Sequence, residues 1–234
     1  MSSSTPVQSS RPFIEAYFEN CWLPYAVLAF FWAVFYRKLL TGASWIFDDF
    51  AHQFFPTKSF MAISLSQGII PYWNPYSFGG TPFFADPQIG VLYPLNTVLA
   101  LFVSGGRLPP LCLQISIVFH ALLMSVFTYL LGRHLKLSRC SALLMSVLFS
   151  YSSYMVIHLI HQALFEAVAW FPLIVLCWML FVKTGNYLHL SLAVLSMALS
   201  ILCGYPQVVF YNYLFIGSYV IAVISRKLWA KDWR

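Results

Sequence analysis

Apolar runs long enough to cross a bilayer dominate this chain, and they leave few folds open to it. A helix needs about 20 mostly apolar residues to span the hydrocarbon core. Candidate spans are Cys21–Leu40, Pro110–Leu131, Cys140–Ile157, Ala163–Val182, Leu188–Cys203 and Val208–Ile224. The runs are continuous rather than alternating, which suits helices and not the strands of a membrane barrel. Hydrophobic residues make up 60% of the chain and charged ones 9%, with a mean hydropathy of +0.76. A soluble domain is about half apolar and a quarter charged. The expectation is an all-α, polytopic transmembrane helical bundle of about six spans, with a long outer first loop carrying short interfacial helices.

Residues 1 to 10 are polar and Ser-rich, with no basic stretch or small-residue cleavage site before the first span. They are read as part of a disordered juxtamembrane tail over 1–20, ahead of an uncleaved anchor. The transmembrane domain then covers 21–225, with its outer loop at 41–109, and 226–234 form a basic cytoplasmic tail. The net charge of +6 does not point to nucleic acid, because the basic residues cluster at span ends. The partner that composition demands is the lipid bilayer. The cysteines at 21, 112, 140, 177 and 203 fall within or beside apolar spans, odd in number and without metal-ligand spacing. They read as small buried hydrophobes.

Positive charge sets the orientation. The run Ile89–Val103 is short and interrupted by Pro94, so it could be a span or an interfacial piece. With six spans and the N-terminus inside, the inner side holds Arg11, Arg133, Lys136, Arg139, Lys183, Arg226, Lys227, Lys231 and Arg234. The outer side holds Arg37, Lys38, Lys58 and Arg107, which makes nine against four. A seventh crossing at Ile89–Val103 would invert everything downstream and break the positive-inside preference. Six spans place the polar connections on one outer face: the first loop, the HLIHQ turn at His158–Gln162 and the CGYPQ turn at Cys203–Gln207.

Three groups of residues could carry chemistry. The first loop holds Asp48, Asp49 and Asp86, three of the seven acidic residues. A helix after Trp45 would set Asp48 one turn from His52, and Asp49 one turn from Gln53. Such a carboxylate could serve as a general base, or Asp48, Asp49 and His52 could hold a divalent cation such as Mg²⁺ or Mn²⁺. The bland alternative is a helix cap or a marker of the water boundary. The second group is the turn-rich stretch Trp73–Gln88. Its Trp73, Asn74, Tyr76, Asp86 and Gln88 are of the types that bind sugars, flat faces for rings and amides or carboxylates for hydroxyls. An aromatic loop lying on lipid headgroups is the alternative. The third is His158, His161, Gln162 and Glu166, whose spacing sets His158, Gln162 and Glu166 along one helical stripe. Glu166 inside an apolar span is a functional candidate by default, or a protonated acid bonded to a neighbouring helix. His120 at mid-span reads as a packing histidine. Gln207 either points into the outer site or caps its hairpin.

The combination of DDFAHQ (Asp48, Asp49, His52, Gln53), PYWNPYSFGGTPFFADPQ, YPLN, HQALFEAVAWFPL and GYPQ resembles YfhO-like bacterial membrane proteins of the GT-C superfamily of polytopic glycosyltransferases. The resemblance covers roughly residues 20 to 210. It implies a helical enzyme of the bacterial inner membrane using a polyprenyl-phosphate-linked sugar donor, with its site facing the periplasm or exterior. The acceptor would be an extracytoplasmic glycan, lipid or protein. The family's essential acidic motif maps onto Asp49 and Asp48, and the departing phosphate needs positive charge from Lys58, Arg37, Lys38, a histidine or a metal. Family members are longer and carry more spans, so a second chain supplying further spans is an expected partner. Rival readings are a non-catalytic membrane subunit or fragment of such an enzyme, and a lipid-carrier flippase or transporter.

Overall fold

The computed structural model describes residues 22–229. The expected tail over 1–20, Cys21, and the basic residues Arg11, Lys231 and Arg234 lie outside the described residues. What is described is helical almost throughout. Four helices are long and apolar enough to cross a membrane: Pro110–His134, Arg139–Ile160, Gln162–Thr184 and Pro206–Arg226. Leu23–Phe35 and Tyr187–Leu202 are apolar but shorter.

The helices follow in chain order. Leu23–Phe35 (α1) and Arg37–Leu40 (α2) are separated by a bend at Tyr36. The connection between Leu40 and Pro110 holds Phe55–Ser66 (α3), a hairpin of Trp73–Asn74 (β1) against Thr81–Pro82 (β2), and Pro94–Thr97 (α4). The bundle continues with Pro110–His134 (α5), Arg139–Ser150 (α6), Ser153–Ile157 (α7), Gln162–Ala169 (α8), Phe171–Thr184 (α9), Tyr187–Leu202 (α10) and Pro206–Trp229 (α11). The run Ile89–Val103 forms α4 and short 3-10 turns rather than a spanning helix.

Local chemistry sets the breaks. Prolines 110 and 172 sit in the first turns of α5 and α9, where a missing N–H costs nothing. Ser138 accepts from Ser141 N at 3.1 Å to start α6, and Asn186 accepts from Leu188 N at 2.9 Å to start α10. α5 is the central helix and packs against α1, α6, α8 and α9. Because apolar side chains gain little by leaving lipid for a helix interface, small polar groups fix the pairings. Ser146 donates to Ser125 O across α6 and α5 at 2.6 Å, and Ser200 donates to Ala167 O across α10 and α8 at 3.0 Å.

The long connection is not laid on top of the bundle but built into it. Tyr36, Ile46, Phe50 and Ala62 share one apolar core with Leu113, Ile117 and Ala121 of α5 and Phe165 of α8. A second small core of Met61, Phe83, Ile89 and Val91 closes the connection on itself. The Gly204 turn between α10 and α11 then docks on the Pro87–Gly90 turn. Gly204 has φ +86, and a Cβ there would lie 1.7 Å from Pro87 O. Gly185 also has positive φ, +66, but a Cβ there would meet nothing within 4 Å. Gly185→Ala is expected to cost only the left-handed strain, about 1–2 kcal/mol. Gly204→Ala adds an overpacking cost of roughly 1–3 kcal/mol. Thermal unfolding of the purified protein in detergent checks this, and equal midpoints for the two variants would contradict the docked turns.

Candidate functional site

The segment that carries the paired acids is held by one side chain. Gln114 of α5 is fully buried, its Oε1 accepts from Ile46 N at 3.0 Å, and its Nε2 donates to Leu39 O at 2.6 Å and Ser44 O at 3.1 Å. These bonds satisfy backbone groups that leave α2 without helical partners inside an apolar surround. A lone amide in the run PLCLQISIVF was the signal available for this, and sequence reasoning passed over it.

Asp48 and Asp49 differ sharply. Asp48 takes φ +58, in the left-handed region, is exposed, and makes no side-chain hydrogen bond or ion pair with a described residue. Asp49 precedes a π-turn, Phe50–Phe54, closed by Phe55 N donating to Phe50 O. Asp48 and His52 do lie one turn apart, His52 N donating to Asp48 O at 3.0 Å, but the π-turn that follows carries one residue more than an α-turn and takes Asp49 and Gln53 out of regular α-helical spacing. Neither acid caps the turn through its side chain.

Asp49 meets the second polar connection. Its Oδ2 lies 3.1 Å from His161 Nε2, with the two side chains 44% and 34% exposed. The other ring nitrogen, His161 Nδ1, is buried without a partner. The single stripe expected for His158, Gln162 and Glu166 is broken at His161, whose φ −98 and ψ 75 separate a 3-10 turn, His158–Ile160, from α8. His158 stacks on Tyr154 at 4.0 Å between ring centroids and lies 5.2 Å from the His161 ring. Gln162 and Glu166 do share a face, and Gln162 Nε2 donates to Glu166 Oε1 at 2.7 Å.

A cleft of about 500 Å³ opens beside the π-turn, lined among others by His52, Gln53, Asn74, Phe78 and Asp86. Gln53 Nε2 donates to Gln88 Oε1 at 2.9 Å, which ties the π-turn to the third acid's loop. Asp86 accepts from Gln88 N at 2.9 Å and so starts the Pro87–Ile89 turn, leaving its other oxygen for the cleft. Asn74 spends its amide on its own hairpin, accepting from Tyr76 N at 2.9 Å and donating to Ser77 Oγ at 3.1 Å. Trp73 is half exposed and packs flat against Gly80. The exposed Gln207 donates to Tyr211 Oη at 3.0 Å and does not line this cleft.

Three expected ligand residues are corrected by burial. Lys58, Gln162 and Glu166 are all 0% exposed, so none can touch a substrate in the cleft. Lys58 donates to Ile89 O, and burial pushes its ammonium below the usual lysine range, opposed by the nearby negative charge of Glu166. His120 is fully paired, Nδ1 to Ser116 O and Nε2 to Tyr93 Oη, each at 2.7 Å, as a packing histidine would be. Cys112, Cys140, Cys177 and Cys203 are free thiols. Among the described residues no three of His, Cys, Asp or Glu converge to hold a metal ion, so Asp48, Asp49 and His52 do not make a cation site. No family model, curated protein or solved structure matches this chain.

If Gln114 positions the acids, Gln114→Leu should leave Ile46 N and Ser44 O unpaired and Leu39 O with only the Gly42 N–H. The expected loss is on the order of 2–3 kcal/mol, with faster protease cutting between Thr41 and Asp49. Unchanged cutting would show that the acids are held by something else.

Proposed function

We propose that this chain is a membrane glycosyltransferase of the GT-C kind, which moves a sugar from a polyprenyl-phosphate-linked donor to an acceptor outside the cytoplasm. The observation that carries the reading is the half-exposed Asp49–His161 pair beside a cleft lined by His52, Gln53, Asn74 and Asp86. Three segments far apart in sequence contribute, which is more than a headgroup-facing aromatic loop requires.

The chemistry follows from those groups. An acceptor hydroxyl donates its proton to Asp49 as its oxygen attacks the anomeric carbon. The bond from that carbon to the phosphate oxygen breaks, and the lipid phosphate leaves with the electron pair. His161 orients the Asp49 carboxylate through Nε2–H while the proton moves. His52, Gln53 and Asp86 offer hydrogen bonds to sugar hydroxyls, and Trp73 and Phe78 offer exposed rings. With Lys58 buried, the positive charge for the leaving phosphate falls to Arg37 and Lys38. Both line an exposed hollow of about 390 Å³ with Val34, Phe35, Leu39 and Ser44, a mixture suited to a phosphate with an apolar tail.

The same reading places the chain in a bacterial inner membrane with six spans, both termini inside and the site outside. Its support is the nine-to-four division of basic residues together with the meeting of all three polar connections. A second chain supplying further spans fits the helix Pro206–Arg226, of which 17% is buried within the protein. A cysteine introduced at Ser77 is expected to react with an impermeant thiol reagent on intact cells, and one at Ser138 only after permeabilisation. The opposite pattern would overturn the orientation.

Catalysis has its own test. Asp49→Asn keeps size and hydrogen bonding but cannot take a proton. Sugar transfer by membranes containing the chain and its partners should fall by about 10²–10⁴-fold, with protein yield unchanged because Asp49 is partly exposed. Asp48→Asn is expected to have the smaller effect. Transfer at the parent rate in both variants and in the double variant would leave a non-catalytic subunit as the better reading.

A further inference from the structure

Two helices of this structure start at the two members of the Asp49–His161 pair. Asp49 precedes the π-turn that runs directly into α3, and α3 carries Lys58. His161 is the residue before α8, and α8 carries Glu166. Lys58 and Glu166 are both 0% exposed, and hydrogen bonds tie both to the same Ile89–Asn96 segment. The chain therefore presents an exposed acid–histidine pair at one level and a buried lysine–glutamate pair below it, on the same two helices.

Hydrogen bonds connect the buried pair through the loop between them. Lys58 donates to Ile89 O. The next residue, Gly90, accepts from Asn96 Nδ2 at 3.2 Å. Asn96 Oδ1 is 3.4 Å from Gln162 Nε2, and that same nitrogen donates to Glu166 Oε1 at 2.7 Å. Asn96 and Gln162 are also 0% exposed. Glu166 Oε2 and Gln162 Oε1 have no hydrogen-bond partner, and the buried Lys58 ammonium is the cationic group of α3 linked to them through this connection. A buried charge with its partner removed is costly, whereas a neutral replacement of both partners is tolerated.

We propose that Lys58 and Glu166 are positioning residues, which fasten α3 and α8 to the same Ile89–Asn96 segment and thereby hold His161 Nε2 on Asp49. Neither reaches substrate; both act through the exposed pair. The proposal rests on the reading of Asp49 and His161 as the working groups, but it concerns their geometry and can be tested without any sugar transfer.

The test uses the full chain in nanodiscs and the rate at which diethylpyrocarbonate modifies each histidine, read by mass spectrometry. In the parent, His161 is protected at Nε2 by Asp49 and at Nδ1 by burial, and Asp49→Ala sets the rate for an unprotected ring. Lys58→Met and Glu166→Gln singly should lower yield, because each strands a buried polar or charged partner. The double variant Lys58→Met/Glu166→Gln should recover part of the yield, Ile89 O staying unpaired, and keep His120 in the core protected. Its His161 should nevertheless react as fast as in Asp49→Ala, a site-specific change that a merely structural role would not produce.

A double variant that folds with the parent rate at His161 would overturn the proposal, as would single variants as stable as the parent. If the double variant does not accumulate, Asn96→Ser cuts the connection and leaves both charges in place. Faster modification of His161 in that variant supports the proposal, and the parent rate overturns it. The outcome is separable from the enzymatic reading: full sugar transfer by Asp49→Asn would end that reading and leave this geometry standing.

Discussion

A polypeptide that leaves one helix and re-enters an apolar bundle must find a partner for each peptide group it buries. In this protein three buried side chains do that for the connection between Leu40 and Pro110. Gln114 binds the backbone at Leu39, Ser44 and Ile46; Lys58 binds it at Ile89; Asn96 binds it at Gly90. Each bond adds little by itself, since it replaces one with water. Leaving the same groups unpaired costs more than the bond contributes, and that asymmetry makes the connection a fixed part of the fold. The position of Asp49 against His161 is a result of this anchoring and not of the two side chains' own attraction, which solvent weakens at such exposure.

A second buried line runs beside it. Trp170 Nε1 donates to Tyr93 Oη at 3.0 Å, Tyr93 lies 2.7 Å from His120 Nε2, and His120 bonds Ser116 O. It joins α9, the connection and α5 without any charge. Burial pushes the Tyr93 hydroxyl far above the usual tyrosine range, so it stays a neutral donor to His120. The polar interior is thus divided. One part holds the ionisable Lys58 and Glu166, on the helices that follow the exposed acid and histidine, and the other runs through Trp170, Tyr93 and His120 and fastens the helices to one another.

Much of the helical frame was legible in the sequence because each helix there is a local matter of apolar length. The expected starts at Pro110, Cys140, Ala163, Leu188 and Val208 fall within two residues of the observed helices. Prolines 94 and 172 explain where the run at Ile89–Val103 and the helix before Phe171 are interrupted. The break at His161 was not legible, since His158–Glu166 has helical spacing and nothing in it forbids a continuous turn. Lys58 was misread for a related reason: a lysine in a polar loop is usually exposed, and only the tertiary neighbours Ile89 and Glu166 reveal that it is buried. The acids could be named from charge scarcity alone. The histidine that one of them meets, 112 residues further on, could be narrowed only to a group of four.

The π-turn at Phe50–Phe54 gives the arrangement a phase. One residue advances an α-helix by about 100°, so the extra residue carried by this turn rotates what precedes it relative to α3 by about that angle. Phe50 and Phe54 still point into the protein, while His52 and Gln53 are turned out toward the cleft and Asp49 toward His161. Pro56, in the first turn of α3, has no N–H to continue an α-helix through this point and would clash with the carbonyl four residues before it, so the wider turn lies where a regular helix could not run on. Removing one residue between Asp49 and Pro56 would turn the carboxylate by about 100° relative to α3 and out of step with His161. The frame and the site are therefore coupled through a count of residues, set where Pro56 starts α3 and read out where Asp49 meets His161.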